Sequence, residues 1–145
     1  MLTVVDIFSR ECLGIEVDQG IKENDVVDLL DDIKWVRGTP KNIRCDNGPE
    51  LVSKAMDKWA YENHVTLDFS RPGKPMDNAF AESFIGSLRV ECLNVNWFLF
   101  LEDALNKIEA WRMDYNEYRP HSSLDYKTPS DFARLGLFKA GKLTV

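Results

Sequence analysis

Apolar and polar residues recur along the chain with spacings that predict alternating strands and helices. Two β-branched stretches, 2–8 and 12–17, joined at Ser9-Arg10-Glu11, predict a hairpin. Further strands are predicted at 42–46 and 65–69. Helices with one apolar face are predicted at 24–37, from Pro49 to about 63, at 77–93 and at 101–118. A short last helix begins at Thr128-Pro129-Ser130-Asp131, and the tail after Gly136 is expected to be loose.

This order predicts an α/β fold, because strands that alternate with helices form a sheet with helices on its faces. The opening hairpin makes the sheet mixed rather than purely parallel. The 145 residues suit one domain, which we assign to residues 1–135, with a tail at 136–145. Asn24 is the predicted N-cap of the first helix, and Gly38 and Pro40 end it.

The composition is that of a soluble globular protein, with 44% hydrophobic and 29% charged residues. No apolar run approaches the length of a membrane span, and the first residues have no basic region typical of a signal peptide. The three cysteines form no CxxC pair, so neither a disulfide framework nor a zinc site is expected. A reducing compartment fits this cysteine usage.

The net charge of −6 argues mildly against a nucleic-acid partner. The charge is unevenly distributed, because residues 1–32 hold nine acids and two bases, while the remaining residues carry a net charge of +1. A body that is nearly neutral can still present a local basic face.

Two carboxylates stand out by their position. Asp46 follows the predicted strand and precedes the turn Asn47-Gly48-Pro49, and ligand groups in α/β sheets collect at the carboxyl ends of strands. Thirty-five residues separate it from Glu82, which lies early in a predicted helix. Paired carboxylates of this kind hold magnesium for phosphoryl transfer on nucleic acid. The alternative for Asp46 is an Asx-turn within its own loop, and for Glu82 a solvated helix position.

The helix of Glu82 is predicted to have one polar and one apolar face. At 100° per residue, Arg89 lies within about 20° of Glu82 and Asn78 within about 40°. Phe80, Phe84 and Leu88 point to the opposite side. Arg89 is therefore placed to reach a phosphate of a substrate held at Glu82. Taken alone, an arginine such as Arg89 is more often a surface cation than a DNA contact, and an asparagine such as Asn78 is more often a helix cap.

The remaining reactive or aromatic side chains favour structural roles. His121, in Arg119-Pro120-His121-Ser122-Ser123, could shuttle protons near neutral pH, but a local hydrogen bond beside the helix-ending proline is the preferred interpretation. Cys12 and Cys45 fall on strands and are predicted to lie in the core. The tryptophans are predicted to belong to the core or to an interface, because they sit on different elements.

Several ordered motifs together resemble a known family, the OrfB-type transposases of bacterial insertion sequences, from about residue 2 to residue 135. The motifs are Val4-Val5-Asp6-Ile7-Phe8-Ser9-Arg10, Asp46-Asn47-Gly48-Pro49-Glu50, Ser70-Arg71-Pro72-Gly73-Lys74-Pro75, Asp77-Asn78-Ala79-Phe80-Ala81-Glu82-Ser83-Phe84 and Tyr115-Asn116-Glu117-Tyr118-Arg119-Pro120-His121-Ser122-Ser123-Leu124. These transposases look like retroviral integrases in their catalytic core, a ribonuclease H-like fold that carries a DDE triad of acids.

The resemblance implies roles for particular residues. Asp46 would be the second acid and Glu82 the third, and both would bind Mg²⁺ or Mn²⁺. Arg89, Asn78, Lys74 and Arg71 would contact DNA, either the transposon ends or the target. The implied chemistry uses water to cut the strand at the element's end, after which the freed 3′-hydroxyl attacks target DNA, with two metal ions about 3.5–4 Å apart. A homo-oligomer, most simply a dimer, in the bacterial cytoplasm is also implied.

This sequence departs from the family pattern at its start. The family's first acid lies in a Trp-x-x-Asp type motif on a strand that precedes residue 1, and that strand is central in the family's sheet. Asp6 falls in the second-strand Asp-x-Phe-Ser motif, for which we predict a structural role. The departure therefore predicts two unpaired strand edges.

Two hypotheses follow from the missing acid. In the first, the chain is the late-started core of a transposase and is inactive by itself. In the second, it is a non-catalytic remnant that acts as a dimerisation or DNA-binding module, with strand exchange between two copies filling the gap. An unrelated magnesium nuclease of the same fold lacks support, because the segment from Arg119 to Ser123 has no role there.

Overall fold

A computed structural model describes residues 1–136 and 142–145, and its elements follow the predicted order as far as the last helix. The strands are β1 (Leu2–Asp6), β2 (Cys12–Glu16), β3 (Asn42–Cys45), β4 (Thr66–Phe69) and β5 (Lys142–Thr144). The helices are α1 (Glu23–Arg37), α2 (Lys54–Glu62), α3 (Ala79–Leu88), α4 (Leu101–Glu117) and α5 (Pro129–Leu135). A 3₁₀ turn at Pro75–Asn78 precedes α3, and a π-helical turn at Arg89–Leu93 follows it.

The five strands form one mixed sheet in the order β2-β1-β5-β3-β4. β1 and β2 form the predicted antiparallel hairpin, and β3 pairs with β4 in parallel. β5 is antiparallel to β1 and parallel to β3. The predicted α/β class with a mixed sheet is therefore confirmed.

β5 was not predicted, and the expectation of a loose tail is wrong for residues 142–145. Thr144 lies opposite Val5 on β1 and opposite Arg44 on β3, so both strands find a neighbour where unpaired edges were expected. Leu143 and Val145 are buried in the core. Main-chain pairing on both sides, together with burial of these side chains, offsets the entropy of ordering the segment.

Helices cover both faces of the sheet, as the predicted class requires. Successive residues of a strand point to opposite faces. Val4 accordingly packs in a cluster with side chains of α1 and α2, whereas Val5 packs in a cluster with Phe84 of α3 and Tyr115 of α4. Both valines are almost fully buried.

Two predicted helix starts were wrong. α1 begins at Glu23, so Asn24 lies inside the helix, and the carboxylate of Asp25 accepts the N–H of Lys22 at 2.7 Å. α2 begins at Lys54 rather than at Pro49, because Ser53 acts as its N-cap and accepts the N–H of Met56 at 3.1 Å. Serine satisfies one of the free N–H groups at a helix start, which proline cannot do.

The cysteine prediction is confirmed for Cys12 and Cys45. Both are fully buried free thiols, and burial raises the pKa of each to about 12. They therefore pack as small apolar groups. Within residues 1–136 and 142–145, none of the helices has the length and apolar character needed to cross a membrane.

The buried side chain of Asn116 ties α4 to the edge strand β2. Its Oδ1 accepts the N–H of Cys12 at 2.8 Å, and its Nδ2 donates to the carbonyl of Cys12 at 2.9 Å. Arg112 donates to the same carbonyl at 2.7 Å. The amide thus takes the place of a neighbouring strand at this edge.

We predict that Asn116→Ala lowers the free energy of unfolding by about 1–3 kcal/mol, because it leaves the buried N–H of Cys12 without a partner, while the carbonyl of Cys12 keeps Arg112. Urea denaturation measures the change. Asn24→Ala, at an exposed position of α1, is the matched control and should change the value by no more than about 0.5 kcal/mol. Equal values for the two variants would contradict the role of Asn116.

Candidate metal and nucleic-acid site

One open cleft of about 560 Å³ is lined by every residue that the sequence singled out for metal or DNA binding. The cleft lies where β3 ends, where β1 begins and where α3 approaches the sheet. The six residues are Asp46, Glu82, Asn78, Arg89, Lys74 and Arg71. The structure thus brings together side chains from β3, the following loops and α3, while the role of each residue remains a prediction.

Asp46 directly follows β3 and is exposed to solvent. Its Oδ1 accepts the N–H of Gly48 at 2.8 Å, which is the Asx-turn that was considered as the alternative. The turn uses one carboxylate oxygen and fixes the orientation of the group. The local hydrogen bond therefore orients Asp46 without removing it from the cleft.

Glu82 lies on α3 with its side chain exposed, four residues after Asn78 and seven before Arg89. The opposite face of the helix is buried, with Phe84 and Leu88 in the core, so the predicted division into two faces is confirmed. Arg89 begins the π-helical turn, where its carbonyl accepts the N–H of Asn94 at 2.8 Å.

The loop before α3 is held by an ion pair that the sequence analysis missed. Arg71 donates through Nε and Nη2 to the Asp77 carboxylate, each at 2.8 Å, and its main-chain N–H also reaches that carboxylate at 3.1 Å. These hydrogen bonds hold the pKa of Asp77 well below its usual range. Arg44 of β3 donates to the Asp77 carbonyl at 3.1 Å. Arg71 is therefore occupied within the loop, whereas Lys74 and Arg89 form no ion pair with the residues that the structure describes.

Asn47, Glu50 and Ser70 are among the residues that line the cleft without having been assigned a role. Asn47 donates to the Ser70 carbonyl at 2.7 Å, and the Ser70 hydroxyl donates to the Cys45 carbonyl at 3.2 Å. These bonds tie the ends of β3 and β4 together. The sequence could have indicated Asn47 and Glu50 as cleft residues, because both belong to the motif that begins with Asp46.

The cleft carries acids and bases in equal number. Asp46, Glu50 and Glu82 face Arg71, Lys74 and Arg89 around the same space. In the part of the chain that the structure describes, no three histidine, cysteine, aspartate or glutamate side chains form a metal-binding group. Two exposed carboxylates still suit Mg²⁺, because this ion keeps several waters and takes one or two protein carboxylates together with substrate phosphates.

Asp6 and His121 do not line this cleft. The buried carboxylate of Asp6 accepts the Phe8 N–H at 3.0 Å and the Ser9 hydroxyl at 2.8 Å. It therefore closes the hairpin turn, in keeping with the structural role predicted for it. His121 packs edge-on against Tyr115, with ring centroids 5.0 Å apart. Burial lowers the pKa of His121, and Arg119 and Arg10 lower it further. This packing favours a structural role for His121. Its Nε2 is buried without a hydrogen-bond partner among the described residues, so the local hydrogen bond that was predicted is not found at this atom.

Comparison with known sequences identifies the family. Residues 1–75 and residues 63–129 each match the integrase core domain. A 31.7 kDa protein of insertion element IS407 from Burkholderia multivorans is 53% identical over 91% of this chain. The transposase InsF for insertion sequence IS3A from Escherichia coli is 29% identical over 94% of it. The chain spans 48% and 49% of the lengths of these two relatives.

Solved structures of retroviral integrases share the fold. A simian T-cell lymphotropic virus intasome superposes with a TM-score of 0.76, at 18% identity over 90% of this chain and 46% of that chain. The HTLV-2 integrase catalytic core domain, in its trimeric form with magnesium, gives a TM-score of 0.65 at 17% identity, covering 89% of this chain and 81% of that chain. These structural likenesses confirm the ribonuclease H-like fold that the resemblance implied. The sequence matches show that the chain belongs to the integrase core domain family, with relatives among the proteins of bacterial insertion elements.

Proposed function

We propose that the cleft binds a divalent metal ion and DNA, and that it forms part of a site that cuts and joins DNA at insertion-sequence ends. One observation carries the proposal: Asp46 and Glu82 come from distant parts of the chain and line the same open cleft, together with Arg89. The magnesium in the HTLV-2 integrase core supports the choice of ion, because this chain shares its fold.

Each side chain has a distinct task in this proposal. Asp46, oriented by its bond to Gly48, and Glu82, fixed on α3, hold the metal ion. When bound, Mg²⁺ would supply charge neutralisation and polarisation at the scissile phosphate. Arg89 and Lys74 pair with neighbouring phosphate oxygens, and Asn78 donates a hydrogen bond to the same backbone.

The charges of the cleft make the proposed DNA binding dependent on a divalent ion. Arg71 is compensated by Asp77, so Lys74 and Arg89 are left to balance the carboxylates of Asp46, Glu50 and Glu82. Such a surface does not attract phosphates by itself. A bound Mg²⁺ would add its positive charge to this surface, and bound cations are often the largest local charges in a site.

We propose further that residues 1–145 do not cut DNA on their own. The triad implied by the family has three acids, and the motifs of this sequence match two of them. Mg²⁺-dependent nicking at element ends by the purified chain, abolished by Asp46→Asn, would contradict this part of the proposal.

A second candidate function, self-association, is favoured by a contiguous run of exposed apolar side chains. Residues 97–101, which we name the apolar segment, include Trp97 at 89% exposure and Leu99 at 81%. Exposed apolar patches of this kind mark protein interfaces. We propose that the chain forms a dimer through this segment. The HTLV-2 integrase core, which shares the fold, is described in dimeric and trimeric forms.

Metal binding is tested with Mn²⁺ as a paramagnetic probe. We predict that Mn²⁺ broadens the backbone NMR signals of residues around the cleft. Asp46→Asn and Glu82→Gln should each raise the Mn²⁺ concentration needed for this broadening at least tenfold, because each removes one of two ligands. Asp57→Asn, at an exposed position on α2, is the matched control. Broadening that survives both substitutions would place the ion elsewhere.

DNA binding is tested through its dependence on salt in the presence of Mg²⁺. We predict that Arg89→Ala weakens binding to all duplex sequences alike and flattens the slope of log K against log salt by about one unit, as loss of one phosphate contact requires. Fluorescence anisotropy measures both quantities. The control is Lys54→Ala, which removes an exposed cation on α2. An unchanged slope in Arg89→Ala would place this residue outside the DNA interface.

Self-association is tested by light scattering at micromolar concentration. We predict a dimer for the wild-type chain and a folded monomer for the double variant Trp97→Ser and Leu99→Ser, because the interface loses its apolar contacts. Trp35→Ser removes a tryptophan on α1 that is 85% exposed, and it should leave the dimer intact. A wild-type chain that is a well-folded monomer would rule out this second function.

A further inference from the structure

β5 does more than complete the sheet, because one of its side chains reaches the helix that carries Glu82. Thr144 is 1% exposed and lies between Val5 of β1 and Arg44 of β3. Its hydroxyl donates to Oδ1 of Asn78 at 2.9 Å, across 66 residues of sequence. Asn78 is the residue that immediately precedes α3 and lines the cleft.

This hydrogen bond determines what Asn78 offers to a ligand. A side-chain amide has one acceptor oxygen and two N–H donors. The oxygen is engaged by Thr144, so the NH₂ group keeps its donors for a partner in the cleft. A phosphate diester has only acceptor oxygens. In the opposite orientation, the amide oxygen would face these oxygens and repel them instead of donating a hydrogen bond.

The main chain around Asn78 is fixed from a second side. The preceding residue, Asp77, binds Arg71 through its carboxylate and Arg44 through its carbonyl. Asn78 is therefore held from β3, through the bond of Arg44 to the Asp77 carbonyl, and from β5, through its own bond to Thr144. The bond from β3 fixes the position of the loop, and the bond from β5 fixes the orientation of the Asn78 amide.

We propose that Thr144 is a positioning residue for DNA binding, which holds the Asn78 amide so that its NH₂ group donates to a phosphate oxygen in the cleft. This inference rests on the proposed function, namely that the cleft binds DNA. The sequence motifs place the residues of the site between positions 46 and 89. The inference adds Thr144, near the end of the described chain, to that site.

The test is a double-mutant cycle on DNA affinity, measured in Mg²⁺. Asn78→Ala should weaken binding about 10-fold, the value of a hydrogen bond to a charged group. Thr144→Val keeps the β-branched shape without the hydroxyl and should weaken binding about 3-fold to 10-fold. Because Thr144 acts through Asn78, the double variant should bind no more weakly than Asn78→Ala alone.

Two controls separate orientation from general loss of structure. Thr144→Ser retains the hydroxyl and should restore wild-type affinity, whereas Thr66→Val, at an exposed position on β4, should have no effect. The side-chain NH₂ signals of Asn78 in the NMR spectrum should shift in Thr144→Val and not in Thr144→Ser. This signal reports the hydrogen bond whether or not DNA is present.

The outcomes distinguish the inference from the function on which it rests. Multiplicative losses in the double variant, or an unshifted Asn78 signal in Thr144→Val, would overturn the role of Thr144 while leaving DNA binding in place. Failure of the wild-type chain to bind DNA in Mg²⁺ would overturn the proposed function and the inference with it, even if the Asn78 signal still shifts.

Discussion

The pairing of β5 with both β1 and β3 is the interaction on which the rest of the molecule depends. Buried main-chain N–H and C=O groups require hydrogen-bond partners. Among the strands of the described residues, β1 and β3 do not pair with each other, and β5 joins the β1–β2 hairpin to the β3–β4 pair. Val4, Ile43 and Leu143, one from each of these three strands, belong to the same buried cluster.

The same pairing determines where the cleft forms. β1 runs antiparallel to β5 and β3, so its first residues meet the last residues of the other two at one edge of the sheet. Asp46 emerges from β3 at this edge. The loop pinned by Arg44 and Asp77 then brings α3 across the same edge, with Glu82 on its solvent-facing side. Asp46 and Glu82, from distant segments, thus line one cleft, because the direction of the strands and the bonds of the loop before α3 bring them to the same end of the sheet.

Local patterns predicted most of the elements, because their information lies within each segment. The apolar spacing of Phe84 and Leu88 was sufficient to predict the buried face of α3, and hence its polar face. β5 was missed because three residues are too few to show a period, and because its partners lie more than 95 residues away in sequence. The start of α2 was missed because Pro49 and Ser53 are both typical of helix starts, and only the structure shows that Ser53 caps the helix.

The sequence predicted which residues line the cleft more fully than it predicted the hydrogen bonds between them, and the roles of these residues stay predictions. The resemblance of the motifs singled out the six cleft residues. The helix face that Glu82 and Arg89 share was, by itself, only weak evidence for a common binding site. The pair of Arg71 with Asp77 was missed because the 3₁₀ turn between them is irregular, so that sequence spacing does not show which side chains meet. The bond of Thr144 to Asn78 depends on β5 and could not be predicted without it.

Met1 and Val145 both line the cleft. A purification tag or fluorescent protein fused to either residue would therefore start at the mouth of the cleft, where a flexible His-rich extension could capture divalent ions or shield the surface from a ligand. The exposed bend around Gly20, on the connection between β2 and α1, does not line the cleft and is a better place for a label.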